Sequence, residues 1–206
     1  MGSLFIIIAA SILFAAPQLS AKGKTLMFVR SFAVLAVVLS AFAYLNEHLI
    51  KPSIRVSRPS HTFIIKQSKA SVKLDSIYQL AEVGRKTFFH DLVAADTVAF
   101  KEIDQRILNH WVEEVGYSFP SGHSFNAFLL AGILAFAIYQ SDNKKMKMLF
   151  VFPLMWASLV ALSRVAVGAH SPLDVSVGGG MGLLLSFTLV GLPVTRHLLI
   201  PKKKDP

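Results

Sequence analysis

ALSRVAVGAHSPLDVSVGGG, residues 161–180, joins two long apolar runs. The first begins near Met148 and carries straight into Arg164; His170 and Asp174 follow before the second begins. An arginine at the centre of a bilayer costs about 2.5–3.5 kcal/mol on insertion scales, and less toward the interface. A membrane chain that keeps Arg164, His170 and Asp174 together at such a place needs something for them to hold.

The rest of the sequence supports a membrane setting. Of 206 residues, 53% are hydrophobic, and the mean hydropathy is +0.55. These residues gather into runs of helix-spanning length, where a soluble core would scatter them. The runs predict five transmembrane helices, at about 3–20, 26–46, 122–140, 148–169 and 174–198. The expected fold is therefore all-α, a polytopic membrane helix bundle with a small helical extracytoplasmic segment. The length predicts one domain over 1–206, with that segment as an insertion at about 60–118. The chain has no cysteine, which removes disulfides, thiol catalysis and thiolate metal sites. Small residues follow the first run, as in a signal peptide. Met1 to Phe5 carry no Lys or Arg, however, so an uncleaved helix is expected there.

A net charge of +9 raises the question of nucleic acid. Residues 51–119 nearly cancel, with ten Lys and Arg against eight Asp and Glu. Elsewhere the basic residues cluster at Lys22, Lys24 and Arg30, at Lys144, Lys145 and Lys147, and at Arg196 with Lys202 to Lys204. Each cluster abuts a span, and with five spans all fall on one side, the positive-inside pattern. No nucleic-acid partner is expected. The 51–119 segment then lies outside, with its mixture of apolar and charged residues predicting two or three short helices over the membrane face.

This topology brings three polar clusters to one face. They are Lys51, Arg55 and Arg58 after the second span, Pro120-Ser121-Gly122-His123 at the start of the third, and Arg164, His170 and Asp174 between the last two. Cations gathered at one depth suit an anion, and phosphate matches the forked donors of arginine. Ser121 reads as an N-cap, and Gly122 leaves room for a ligand at the positive helix end. An ordinary helix start with a chance histidine accounts for the same residues.

Asp174 also has two readings. SPLD can be a capping box on Ser171, or Asp174 can orient His170 as a carboxylate orients a nucleophilic or basic histidine. A metal is not expected, because only two histidines converge, no HExxH is present and nearby cations would repel one. His48, His61, His90, His110 and His197 show no partner spacing and read as surface or interfacial residues. Asn46, Glu47, Trp111 and Tyr117 read as interfacial too. GGGMG at 178–182 reads as close helix packing.

Taken together, KPSIRVSRP (51–59), PSGH (120–123) and SRVAVGAHSPLD (163–174) resemble the three motifs of the type 2 phosphatidic acid phosphatase family: KxxxxxxRP, PSGH and SRxxxxxHxxxD. All three are complete and in order, and the resemblance covers roughly residues 25–198. The longer stretch RILNHWVEEVGYSFPSGHSFNAF is similar in particular to the phosphatidylglycerophosphatase branch of that family. The family usually has six spans with the first motif after the third, whereas here it follows the second.

The resemblance implies an integral-membrane phosphatase acting on the phosphomonoester of phosphatidylglycerophosphate or phosphatidic acid-type lipids, without metal or cofactor. Undecaprenyl pyrophosphate or lipid A phosphatases and phosphotransferases are the alternatives within the family; outside it stands a lipid or phosphate transporter. His170 would be the nucleophile, Asp174 its orienter and His123 the general acid. Lys51, Arg58, Ser121, Gly122 and Arg164 would bind phosphate. The expected location is a bacterial inner membrane with the site facing the periplasm, and the expected partners are the membrane and a phospholipid or polyprenyl phosphate.

Overall fold

The structure, a computed structural model, describes residues 10, 19–140 and 144–200. The expected span at 3–20 lies outside the described residues except at 10, 19 and 20. Among the described residues all regular structure is helical.

Helix α1, Ala21–Ile54, is capped by Ser20, whose hydroxyl accepts the N–H of Gly23 at 3.2 Å. Its 34 residues make it about 50 Å long, so it outruns a hydrocarbon core of about 30 Å. The span expected at 26–46 is only its middle. Pro52 lacks an N–H and would crowd the carbonyl one turn back. A wider π turn, Asn46–Ile50, ends two residues before it, and the helix runs on through Lys51–Ile54 until Arg55 turns left-handed at φ 57°. Lys51 therefore sits on a helix and not in a following loop.

Four helices follow where two or three were expected: α2 Pro59–Gln67, α3 Leu74–Tyr78, α4 Glu82–Ala95 and α5 Gln105–Glu113. They enclose their own core, which includes Ile64, Ile77, Phe89, Phe100, Leu108 and Trp111. Trp111 is thus an interior residue, and its indole N–H donates to the Val167 carbonyl at 2.6 Å. Tyr117 stacks on Tyr78 with ring centroids 4.4 Å apart. The burial of Trp111 does not match the interfacial role expected for it. His61, also read as a surface residue, is wholly buried.

The remaining long helices are α6 Gly122–Tyr139, α7 Met148–Ala166 and α8 Pro172–Gly191. By length and composition α1, α6, α7 and α8 can each cross a membrane. The outer faces of α1, α7 and α8 carry exposed Val37, Trp156, Leu159, Leu184 and Phe187, which water would penalise and acyl chains would cover. The span expected at 174–198 is broken. Pro193 forces Leu192 into an extended conformation, and a separate helix α9, Pro193–Leu199, follows. It folds back on α1, where the Ser31 hydroxyl donates to the Leu198 carbonyl at 3.0 Å.

Helices α6 and α8 pack so closely that glycine is needed between them. A Cβ at Gly182 would overlap the carbonyl oxygen of Phe125, and one at Gly178 that of Ser121. The GGGMG stretch is a packing surface, as its composition suggested. This contact sets the two helix starts side by side, and the Ser121 N–H donates to the Asp174 carbonyl at 3.0 Å.

Candidate active site

A cavity of about 380 Å³ opens beside the start of α6, between α1 and the 51–119 segment. Its lining includes Lys51, Arg58, Gly122, His123 and His170, residues far apart in sequence.

Lys51 projects from the last turn of α1 and is buried in an ion pair with Glu47, one helical turn back. Glu47 is therefore a partner of the site and not simply an interfacial residue. Asn46, also buried, donates to the Pro120 carbonyl at 3.4 Å and so links α1 to the start of α6.

Arg58 caps α2 and is almost fully enclosed. Its Nε donates to the Gly116 carbonyl at 2.8 Å, and its Nη1 donates to Glu114 at 2.8 Å and to the Ala169 carbonyl at 3.2 Å. Its backbone N–H donates to the Tyr78 hydroxyl at 3.1 Å. That hydroxyl meets Nδ1 of His61 at 2.7 Å, while Nε2 of His61 meets the Trp111 carbonyl at 3.2 Å. Burial, with Arg58 close by, pushes His61 down to about 3. Neutral His61 thus props the loop that carries Arg58.

Ser121 caps α6, its hydroxyl accepting the N–H of Ser124 at 3.4 Å. It is wholly buried and does not line the cavity, so its side chain serves the cap. Gly122 does line it. A Cβ there would make only ordinary contact, 3.6 Å from Asn46, so the protein itself does not demand glycine at 122. His123, one residue on, is exposed toward the opening.

Arg164 lies in the last turn of α7 but is not among the cavity-lining residues. Its Nη2 donates to the two Glu114 oxygens at 2.9 and 3.1 Å and lies 2.8 Å from Nε2 of His110. Glu114 therefore joins Arg58 to Arg164. Burial works against its charge, but the two arginines prevail and hold its carboxyl below the usual range. Glu114 belongs to no motif of the sequence, and His110, expected at the surface or interface, meets Arg164 instead.

After α7, Gly168 takes φ 71°, a left-handed turn favouring glycine, and the N–H groups of Ala169 and His170 both donate to the Arg164 carbonyl. A helix C-cap thus aims His170 at the cavity. Asp174 satisfies both of its readings in part. It forms a capping box with Ser171, whose N–H donates to Asp174 Oδ2 at 2.7 Å. The same oxygen lies 3.7 Å from His170 Nδ1, just beyond hydrogen-bond reach, and neither that nitrogen nor Asp174 Oδ1 has another partner. Burial lowers the basicity of His170, with Asp174 pulling the other way, and so favours the neutral ring. With Nδ1 turned to Asp174, Nε2 is free to act. Among the described residues no group of three or more His, Cys, Asp or Glu is arranged to hold a metal ion.

Residues 30–197 match the family model described as the PAP2 superfamily. The chain is 34% identical over 100 residues to phosphatidylglycerophosphatase B of Bacillus subtilis (strain 168), covering 42% of this chain and 49% of that one. It is 28% identical over 168 residues to phosphatidylglycerophosphatase B of Escherichia coli (strain K12), covering 80% and 61%. An undecaprenyl-diphosphatase of Sulfolobus acidocaldarius is 37% identical over 79 residues, covering 38% and 35%. The chain thus spans only about half to three fifths of the first two relatives. A crystal structure described as the first transmembrane PAP2 type phosphatidylglycerolphosphate phosphatase from Bacillus subtilis aligns over 92% of this chain and 94% of that one. It does so at 24% identity and a TM-score of 0.35. The family match contains all three motifs, from Lys51 to Asp174, and on that ground the chain belongs to the PAP2 superfamily.

Proposed function

We propose that the protein is an integral-membrane lipid phosphatase that hydrolyses the phosphomonoester of phosphatidylglycerophosphate or phosphatidic acid-type lipids through a phosphohistidine. The observation that carries this reading is one cavity lined by two histidines and three cations, Lys51, Arg58 and Arg85, with a carboxylate behind His170. Binding or transport of an anion needs the cations; it does not need two placed histidines and an orienting acid.

In this reading Nε2 of His170 attacks phosphorus as the bond to the lipid oxygen breaks, and His123 gives that oxygen a proton. Asp174 sits 3.7 Å from Nδ1 and would close on it as the ring gains positive charge. His123, now deprotonated, takes a proton from the water that attacks the phosphohistidine and releases phosphate. Lys51, Arg58 and the amide end of α6 at Gly122 would hold the non-bridging oxygens. Arg164 reaches the same group only after exchanging Glu114 for phosphate, or else acts through Glu114 on Arg58. Because these residues supply both nucleophile and countercharge, the reaction as proposed uses no metal.

The positive-inside distribution supports a cavity facing away from the cytoplasm, in a bacterial inner membrane. A second reading, a polyprenyl diphosphate as substrate, is favoured by the undecaprenyl-diphosphatase relative. Phosphate release by the purified protein, in EDTA, from phosphatidylglycerophosphate, phosphatidic acid and undecaprenyl diphosphate tests both. Release from the first two supports the main reading, release from the third alone supports the other, and release from none refutes both.

A further inference from the structure

Arg85, on α4, belongs to none of the three motifs, yet it lines the same cavity. Lys51 and Arg58 each face a carboxylate there, Glu47 and Glu114 respectively. Arg85 has no such partner among the described residues. Its Nη1 donates to the Tyr78 carbonyl at 3.1 Å, and its Nε is buried without an acceptor. The nearby carboxylates are taken, since Lys86 bridges Glu82 at 3.1 Å and Glu113 at 3.0 Å. A buried guanidinium N–H without an acceptor is unfavourable unless a ligand supplies one.

Its position relative to Arg58 is set by Tyr78. The tyrosine carbonyl takes Arg85 and its hydroxyl takes the backbone N–H of Arg58. Tyr78 therefore ties the backbone of Arg58 to the guanidinium of Arg85, and both arginines line the cavity. With Lys51 and Arg58 to hold one phosphate beside His170, Arg85 is left for a different anionic group on the same molecule.

We propose that Arg85 binds a second phosphate of the substrate and so favours lipids with two phosphates over phosphatidic acid, which has one. This rests on the phosphatase reading above. The second phosphate is the diester of phosphatidylglycerophosphate or the inner phosphoryl of a polyprenyl diphosphate; both offer anionic oxygens to a forked donor.

The test compares the full-length wild type with Arg85→Ala and Arg85→Gln on phosphatidylglycerophosphate, undecaprenyl diphosphate and phosphatidic acid. Arg85→Gln keeps a donor for the Tyr78 carbonyl while removing the charge. The ratio of kcat/KM for a two-phosphate lipid to that for phosphatidic acid should fall about tenfold in both variants, mainly through KM, as loss of one charge-assisted contact implies. The two-phosphate lipid whose ratio falls is the one Arg85 reads. An unchanged ratio, or an equal loss on all three lipids, overturns the proposal while leaving the phosphatase reading intact. A wild type inactive on every lipid would instead refute that reading, and this inference with it.

Discussion

Gly178→Ala is a one-carbon change that should disable the site without touching a catalytic group. The added Cβ would overlap the Ser121 carbonyl oxygen and lie 3.2 Å from the Ser121 backbone N and carbonyl carbon. None of these atoms can rotate away, because they belong to the cap of α6. Restoring contact at about 3.5 Å requires the helices to part by about 1 Å, which would stretch the 3.0 Å bond from Ser121 N–H to the Asp174 carbonyl beyond useful length. Overpacking of this kind costs about 1–3 kcal/mol. Better helix propensity returns about 1 kcal/mol, leaving a net loss of about 0–2 kcal/mol. Activity should suffer more, since α6 carries His123 while α8 carries Asp174, and a 1 Å misplacement can cost about a hundredfold. Gly180→Ala is the control, because a Cβ there meets nothing within 4 Å. Thermal unfolding in detergent and lipid phosphate release should show Gly178→Ala folded but about a hundredfold slower, with Gly180→Ala like wild type. Full activity in Gly178→Ala would refute the claim that this contact sets the site.

Glu114→Ala would strand Arg58 and Arg164 together. With the Glu114 side chain 25% exposed, the loss should be about 2–3 kcal/mol, below the value for a fully buried pair, and thermal unfolding would read it. His61 predicts acid sensitivity. It stays neutral in the fold down to about pH 3, while the unfolded chain takes up a proton near 6.5. Its contribution is therefore complete above pH 6.5 and is lost at up to about 1.4 kcal/mol per pH unit as pH falls toward 3; denaturation curves of His61→Gln should be flatter over that window. The chain has no cysteine, so single cysteines at Lys144 and Asp91 can be labelled selectively, and they should react from opposite sides of the membrane.

The motif residues Lys51, Arg58, His123 and His170 could be read from the sequence because their chemistry is out of place in an apolar chain. Spacing said nothing about which carboxylate would join the arginines. Glu113 and Glu114 are neighbours of identical type, yet one meets Lys86 outside and the other sits between Arg58 and Arg164. A charge count was the available signal, since clustered buried arginines require a nearby acid. Ser121 illustrates the converse, a motif residue whose hydroxyl serves the helix cap and does not reach the cavity. The break at Leu192 was readable from Pro193 but was hidden by the unbroken hydropathy around it. His61 and Trp111 were misjudged because burial in a small helical insertion depends on packing between segments that no single-helix period reveals.

The central claim is a covalent bond from His170 to phosphorus. Rapid-quench of the purified protein with radiolabelled substrate, followed by peptide mapping, tests it most directly. The account predicts an acid-labile, alkali-stable phosphate on His170. It should build up in His123→Ala with p-nitrophenyl phosphate, whose leaving group needs little protonation while the second step lacks its base. It should be absent from folded His170→Ala on every substrate. Phosphoenzyme persisting in His170→Ala, or turnover of that variant at the wild-type rate, would contradict the account.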